Sequence, residues 1–402
     1  MSAHANPDII DDGLVFLYDT DDGKSYKGEP TTNLFPSPQL DNNTNTTVGE
    51  ASITLKNFDS DLVGLEMIQA ATSNIVSFSM GSLSSAVSGG TYTWSSYVNS
   101  TSIGHKVKAQ VTVRVDGVRY WLTNSNTWTT STTECTHLFA PTIANEWHRV
   151  DTQFTMPTGT LTDFQLGGWY RSTSNFTLRV ANAQLELKSH ATPFVDGTRS
   201  ATQGLLDRTG NSTIDISDAS FDSDAQMTFD GTDDYVSVPS FQRFASNSDL
   251  TIEAFVKPTS IYSYTQILGR GYSSAGYPNY YLRKGGGSLG WSFFVGDSSS
   301  NYTASDSDSI NLNVWQHVVG ILNRSENLCK IYVNGVLKQT ADATGIGSFE
   351  NAGDNLVIGK IPNSVSYTYF AGDIDTIKLY NRALTAAEVR QHFNAIKSRF
   401  QL

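Results

Sequence analysis

Two cysteines in 402 residues, Cys135 and Cys329, are too few and too far apart to frame a disulfide scaffold or a cysteine metal site. Charge is also scarce. Asp, Glu, Lys and Arg make up 16% of the chain, against about 25% in ordinary soluble domains. Positive charge is the rarer sign, 27 basic residues against 39 acidic for a net charge of −12, and it is scattered. The chain therefore lacks the basic stripe that neutralises phosphates, which excludes nucleic acid as a partner. No uncharged apolar run approaches the roughly 18 residues that mark a spanning helix, so membrane insertion is excluded too. Helical bundles, which draw on Ala, Leu, Glu and Lys, do not fit this composition. Catalytic signatures are missing as well. The seven histidines form no H-E-x-x-H or His-x-His pair, no Gly-x-Ser-x-Gly occurs, and Gly285-Gly-Gly287 reads as a turn.

Ser, Thr, Asn and Gly take the place of charge, together with 18 Tyr, 20 Phe and 7 Trp. That mixture favours strands joined by polar turns. The length predicts two or three domains at about 150 residues each. Residues 1–32 hold one strand-like run, Leu14-Val-Phe-Leu-Tyr18, and read as an arm for attachment or a lead-in strand, too small for a core. Over 33–196, short alternating runs such as Thr91-Tyr-Thr-Trp-Ser-Ser-Tyr-Val98 predict a sandwich, with a hairpin turning at Asp116-Gly117. Further strands over 197–384 predict a second sandwich, with a turn at Asn334-Gly335. Trp94, Trp147, Trp291 and Trp315 fall inside strand patterns and are expected in the cores. His317 is expected to be a strand residue with one hydrogen bond. Over 385–402, Thr385 and Glu388 form a capping box ahead of Val389, Phe393 and Ile396, which predicts one amphipathic helix. The fold class expected is all-β: two antiparallel jelly-roll sandwiches in tandem, a short N-terminal arm and a C-terminal helix.

Phe229-Asp-Gly-Thr-Asp-Asp-Tyr-Val236, Leu250-Thr-Ile-Glu-Ala-Phe-Val256, Trp315-Gln-His-Val, Lys330-Ile-Tyr-Val-Asn-Gly335 and Gly372-Asp-Ile-Asp-Thr-Ile-Lys-Leu-Tyr-Asn-Arg-Ala-Leu384 occur in an order and spacing that resembles the laminin-G-like, pentraxin-like branch of the concanavalin A-like lectins. The resemblance covers about residues 205–384. It implies a two-sheet jelly roll used for glycan binding, sometimes with a structural calcium. The first sandwich resembles carbohydrate-binding-module jelly rolls through Thr91–Val98, Trp147-His-Arg-Val150 and Ala183-Gln-Leu-Glu186 with Ala191-Thr-Pro-Phe194. Leu17-Tyr-Asp19, Lys24-Ser-Tyr26 and Phe393-Asn-Ala-Ile-Lys-Ser-Arg-Phe400 resemble segments of marine or cyanobacterial phage virion proteins.

Asp outnumbers Glu 29 to 10. Short carboxylates on loops suit calcium, which takes six to eight oxygens. Asp230, Asp233 and Asp234, with Asp373 and Asp375 just ahead of the last strand, are the candidate ligands, since the resemblance implies that the first and last strands are neighbours; the alternative is that they cap turns. Sugars stack on aromatic rings while amides and carboxylates bond their hydroxyls. The candidates for that role are Tyr262, Tyr264, Tyr272, Tyr277, Tyr280, Tyr281, Tyr367 and Tyr369 in the second sandwich, and Trp121, Trp128, Trp169 and Tyr170 in the first. The alternative is that such rings pack under their own loops or against another subunit. The E-x-D-x-x-E strand of concanavalin A-like glycosidases is absent, and Glu253 has no partner visible in sequence.

The function expected is a non-enzymatic phage virion surface protein, a tail fibre, adhesin or capsid decoration, that contributes to host adsorption. Its expected partners are other virion proteins and host-surface polysaccharide, and its expected state is a homo-oligomer such as a trimer. The N-terminus lacks the basic start and apolar stretch of a secretory signal, which points to synthesis in the host cytoplasm. The alternatives are a purely architectural virion protein and a polysaccharide depolymerase.

Overall fold

A computed structural model describes residues 10–35, 46–47, 52–59, 62–69, 75–83, 86–103, 107–131, 136–139, 143–171, 176–261, 265–271, 279–285, 289–349, 354–362 and 369–400. Two compact units divide the chain. One is Thr31–Arg199 with Ser223–Ala225, the other Met1–Pro30, Ser200–Asp222 and Gln226–Leu402. The chain thus begins one sandwich, leaves it at Pro30 to build the other, and returns at Ser200. The inserted unit is closed at its base by a short ladder, Thr31–Thr32 on Thr198–Arg199.

The inserted sandwich has a seven-stranded and a five-stranded antiparallel sheet. The first carries Trp128–Thr129, Val118–Leu122, Val107–Val115, Leu161–Arg171, Ile75–Leu83 and Thr46–Thr47 in that order, with Thr136–Phe139 beside Val107–Val115. The second runs His148–Thr155, Thr91–Ser100, Phe176–Glu186, Leu62–Gln69, Ser52–Asp59. Alternation fills the core. Val111, Val113 and Leu122 from one sheet meet Trp94, Val98, Leu178 and Val180 from the other. Asp116 and Gly117 both adopt positive φ, 49° and 84°, as the expected hairpin turn requires.

The discontinuous sandwich pairs an eight-stranded sheet with a six-stranded one. Leu250–Ser260 lies between Ala371–Tyr380 and Gln316–Asn323 in the larger sheet, followed by Leu328–Val333 and Val336–Asp342. Leu14–Asp19 pairs with Ala371–Tyr380, bringing Tyr18 opposite Ile377. Of the two expectations for 1–32, Leu14–Asp19 thus answers to the lead-in strand. Phe16 and Tyr18 are fully buried because their neighbours in the core, such as Phe241, come from the second segment of this discontinuous unit, beyond the inserted sandwich. Asn334 and Gly335 form the second predicted turn, at φ 50° and 74°.

The helix Ala386–Ile396 begins at the predicted capping box: Thr385 accepts from the Glu388 backbone N–H and Glu388 reaches back to Thr385. Arg382 donates to the Glu388 carboxylate at 2.8 Å, and with the cap it lowers that acid to about 2. Among the described residues, no helix is long and apolar enough to cross a membrane. Trp94 and Trp291 are core residues as expected. Trp147 and Trp315 are not; both lie just ahead of strands and are only partly buried, against Phe58 and Phe400 respectively.

Candidate functional site

On the inserted sandwich, strand alternation that buries Val113, Leu122 and Phe164 turns Thr112, Arg114, Arg119, Trp121, Asp163 and Gln165 to the opposite face of the seven-stranded sheet. Register makes them neighbours. Trp121 pairs with Thr112 and Thr112 with Gln165, while Arg119 pairs with Arg114. Pairing slips by one residue between Thr162 and Gln165, and Asp163 occupies that bulge at φ 50°. A bulge of this kind re-aims a side chain. Here it aims the Asp163 carboxylate at two guanidiniums, accepting from Arg119 Nη2 and, at 3.3 Å, from Arg114 Nε. Arg119 Nη1 donates to Thr112 Oγ1 at 2.8 Å and Gln165 Oε1 at 3.3 Å, and Gln165 Nε2 donates to Asp163 at 2.8 Å. The result is a fixed polar lattice beside a half-buried indole.

A second aromatic cluster lies on the other sandwich. Lys360 Nζ is 3.4 Å from the Tyr235 ring centroid and 5.9 Å from that of Tyr369. Burial and a hydrogen bond to Asp218 raise the Tyr235 hydroxyl to about 12. The ammonium covers the Tyr235 ring face that a sugar would use, so this cluster is the more closed of the two.

The turn before Tyr235 brings Asp230, Asp233 and Asp234 together, with ligand oxygens within 4.8 Å of one another. Asp230 Oδ1 accepts from the Thr232 and Asp233 backbone N–H groups, and Asp234 Oδ2 accepts from the Asp230 N–H at 2.7 Å. Turn bonds lower the Asp230 carboxyl, chiefly the one from Thr232, while burial raises that of Asp234. The other two predicted ligands do not join them, although the strands are adjacent as expected, with Asp230 opposite Ala371. Asp373 pairs with Lys257 at 2.7 Å and Asp375 with Arg399 at 2.7 Å. Each already has a cation of its own.

The predicted sugar-stacking residues have different fates. Tyr262, Tyr264, Tyr272, Tyr277 and Tyr367 lie outside the described residues. Tyr280 is fully buried edge-on to Phe244 and Phe349, and Tyr281 is buried against Phe294, so both are core residues. Trp128 closes the edge of the inserted core, stacking edge-on to Phe154 and donating its Nε1–H to the Thr155 carbonyl. The backbone of Trp169 pairs with Lys108 and Ser77, four rungs along from Gln165, and Tyr170 pairs with Val76. Among the candidates whose side chains are described, Trp121 is the one placed beside the polar lattice, opposite Thr112. Sequence reading missed Arg114, Arg119, Asp163 and Tyr235; the hairpin at Asp116-Gly117, which places Arg114 opposite Arg119, was the available signal for the first two.

Glu253 does have partners, and they seal it. Its carboxylate accepts from Lys378 Nζ at 2.7 Å, meets His392 Nδ1 at 2.6 Å and lies 3.4 Å from His317 Nε2. Burial pushes the Glu253 acid up, but Lys378 and the two histidines outweigh it and hold it well below the usual range. Burial lowers the His317 imidazole. Instead of making one ordinary hydrogen bond, His317 belongs to this cluster, stacked on Phe255 at 4.5 Å. Glu253 and His317 have no solvent exposure, so this carboxylate meets no polysaccharide.

Residues 230–390 match the family model of the concanavalin A-like lectin/glucanases superfamily. No curated protein sequence matches the chain. Among solved structures, the CBM40 module of a Ruminococcus gnavus IT-sialidase bound to alpha2,3 sialyllactose is 19% identical, over 36% of this chain and 82% of that one, at a TM-score of 0.32. Domain 4 of an extracellular arabinanase from Geobacillus stearothermophilus, in complex with arabinotriose, is 20% identical over 48% and 91%, at 0.36. The binding domain of Paraclostridial Mosquitocidal Protein 1 is 16% identical at 0.39; the match covers 48% of this chain and about half, 49%, of that one. The family match falls on the larger part of the discontinuous sandwich, which is thus similar to a concanavalin A-like lectin jelly roll.

Proposed function

We propose that the protein is a non-catalytic carbohydrate-binding protein, with the Trp121 face of the inserted sandwich as its sugar-binding surface. The observation that carries this reading is the single rung Trp121–Thr112–Gln165 flanked by Arg119 and Asp163. An indole offers the flat apolar surface on which a pyranose stacks, and the amide, guanidinium and carboxylate offer both donors and acceptors for hydroxyls. These groups hold one another in place before a ligand arrives, which lowers the ordering cost of binding. The match of residues 230–390, on the other sandwich, to a superfamily of lectins and glucanases supports a carbohydrate-directed role for the protein without bearing on the Trp121 face, and the sealing of Glu253 favours binding over hydrolysis.

The test is affinity electrophoresis of the whole protein through gels cast with bacterial surface polysaccharides, beside Trp121→Ala. Retardation by at least one polysaccharide, reduced tenfold or more in the variant at unchanged circular dichroism, is expected. A blank across the panel, or equal retardation of the variant, overturns the reading.

The setting proposed is the surface of a phage particle, where such a face would serve host adsorption alongside other virion proteins, as a homo-oligomer such as a trimer. Its support is the resemblance of residues 17–26 and 393–400 to virion proteins. Mass spectrometry of purified particles tests it, and absence of the chain from them refutes it. Calcium belongs to the same proposal only at Asp230, Asp233 and Asp234, where a divalent cation would relieve the repulsion between neighbouring carboxylates.

A further inference from the structure

The charge on the Trp121 face runs against the rest of the chain. The protein carries a net −12, yet this face sets two guanidiniums, Arg114 and Arg119, against one carboxylate, Asp163. Counting donors sharpens the point. A guanidinium has five N–H groups. Arg119 uses both hydrogens of Nη1, on Thr112 and Gln165, and one of Nη2, on Asp163. Its Nε–H and second Nη2–H have no partner among the described residues. Arg114 uses Nε on Asp163 and one hydrogen of Nη1 on the Gly117 carbonyl at 3.1 Å. Its whole Nη2 group has no partner among the described residues, and its side chain is 45% exposed.

From these observations we infer that the face selects sugars bearing a carboxylate, uronates or sialates, over neutral sugars; the inference rests on the sugar-binding reading above. A planar guanidinium fork matches a carboxylate with two parallel N–H···O bonds, stronger than bonds to neutral hydroxyls. Position favours it as well. Arg119 and Trp121 are two residues apart on one strand, about 7 Å along its axis. That spacing puts the guanidinium within reach of the exocyclic carboxylate of a pyranose stacked on the indole. Asp163 neutralises only one of the two cations and holds both in register through the bulge, so among the described side chains this cluster keeps one positive charge for the ligand. A neutral sugar would leave that charge uncompensated, and an added cationic group would be repelled.

The experiment compares matched pairs on the whole protein by isothermal titration: polygalacturonate oligomers against their methyl esters for the uronate arm, and sialyllactose against lactose for the sialate arm. At least a tenfold preference for the acid in one arm is expected, shrinking as salt rises from 50 to 500 mM. Arg114→Gln and Arg119→Gln should each remove most of that preference while weaker binding through Trp121 persists. Arg119→Lys, which keeps the charge and loses the fork, should retain part of it. Equal affinity for acid and neutral partners overturns the inference and leaves sugar binding standing. A preference that survives both glutamine variants also overturns it, since recognition then lies elsewhere. Binding to neither member of any pair, with the polysaccharide panel also blank, defeats the parent reading instead.

Discussion

The two sandwiches each turn a polar sheet face away from their core, and the two faces end differently. On the larger sheet of the discontinuous sandwich, Glu253, His317 and Lys378 are closed over by the C-terminal helix, which adds His392 and Val389, with Leu384 just ahead of its cap. The tail then lays Phe400 on Phe255 at 5.1 Å and sends Arg399 to Asp19, Asp21 and Asp375. On the inserted sandwich, Arg114, Arg119, Asp163 and Gln165 keep solvent contact. Charge under a helix is structural, because every group must find a partner or lose its hydration uncompensated. Charge on an open sheet costs little to hold and stays free to meet a ligand. The same strand alternation produced both; what differs is the cover.

The sharpest way to break this contrast is Glu253→Gln, which leaves Lys378 buried without its counter-charge. A loss of about 3–5 kcal/mol is expected, read by urea unfolding, with Glu253→Gln/Lys378→Met regaining much of it. A loss under about 1 kcal/mol would mean that solvent reaches the cluster and that the helix is no seal.

Acidity offers a second probe. Burial raises the Asp375 acid to about 6 despite Arg399, from about 3.9 in the unfolded chain. The folded state therefore binds the extra proton, and Asp375 contributes stability at low pH that is lost as pH rises from about 4 through 6. Wild-type stability minus that of Asp375→Asn should fall across that window and be flat outside it. Glu253 and Glu388 have the opposite sign: their lowered acids contribute stability above about 4.5 that disappears as pH falls further. A flat difference curve for Asp375→Asn would contradict its burial beneath the tail.

Smaller effects follow. Arg119→Gln, which removes a partly buried ion pair and its hydrogen bonds, should cost about 1–2 kcal/mol, while its effect on acidic-sugar affinity is tenfold or more. A large stability loss there would make the open face structural after all. Thr385→Ala removes the helix cap and should cost about 1 kcal/mol, with no change in glycan affinity. The smallest expected effect is a rise of a few degrees in Tm on adding calcium, abolished by Asp233→Asn; no rise removes calcium from the proposal.

Local chemistry was legible. Asp116-Gly117 and Asn334-Gly335 announced their turns because few other pairs accept two positive φ angles. Thr385 with Glu388 announced the helix start, and Trp94 and Trp291 their cores. Residues whose role depends on a distant partner were not. Tyr280 sits beside Gly and Ser and looked like loop surface, but cross-strand pairing with Val295 draws it into the core. Glu253 looked solitary because Lys378 is 125 residues away and His392 139. Asp375 looked like a calcium ligand until Arg399 met it.

Composition and alternation by themselves determined an all-β chain of two antiparallel sandwiches with one C-terminal helix, because side-chain period and turn geometry are set by neighbours in sequence. Only the tertiary structure decided that Leu14–Asp19 is a strand of the second sandwich, that the first is an insertion within it, and which charged face is covered. Those outcomes depend on strand pairing and burial between residues hundreds of positions apart, where the gain comes from surface removed from water and no local signal records it.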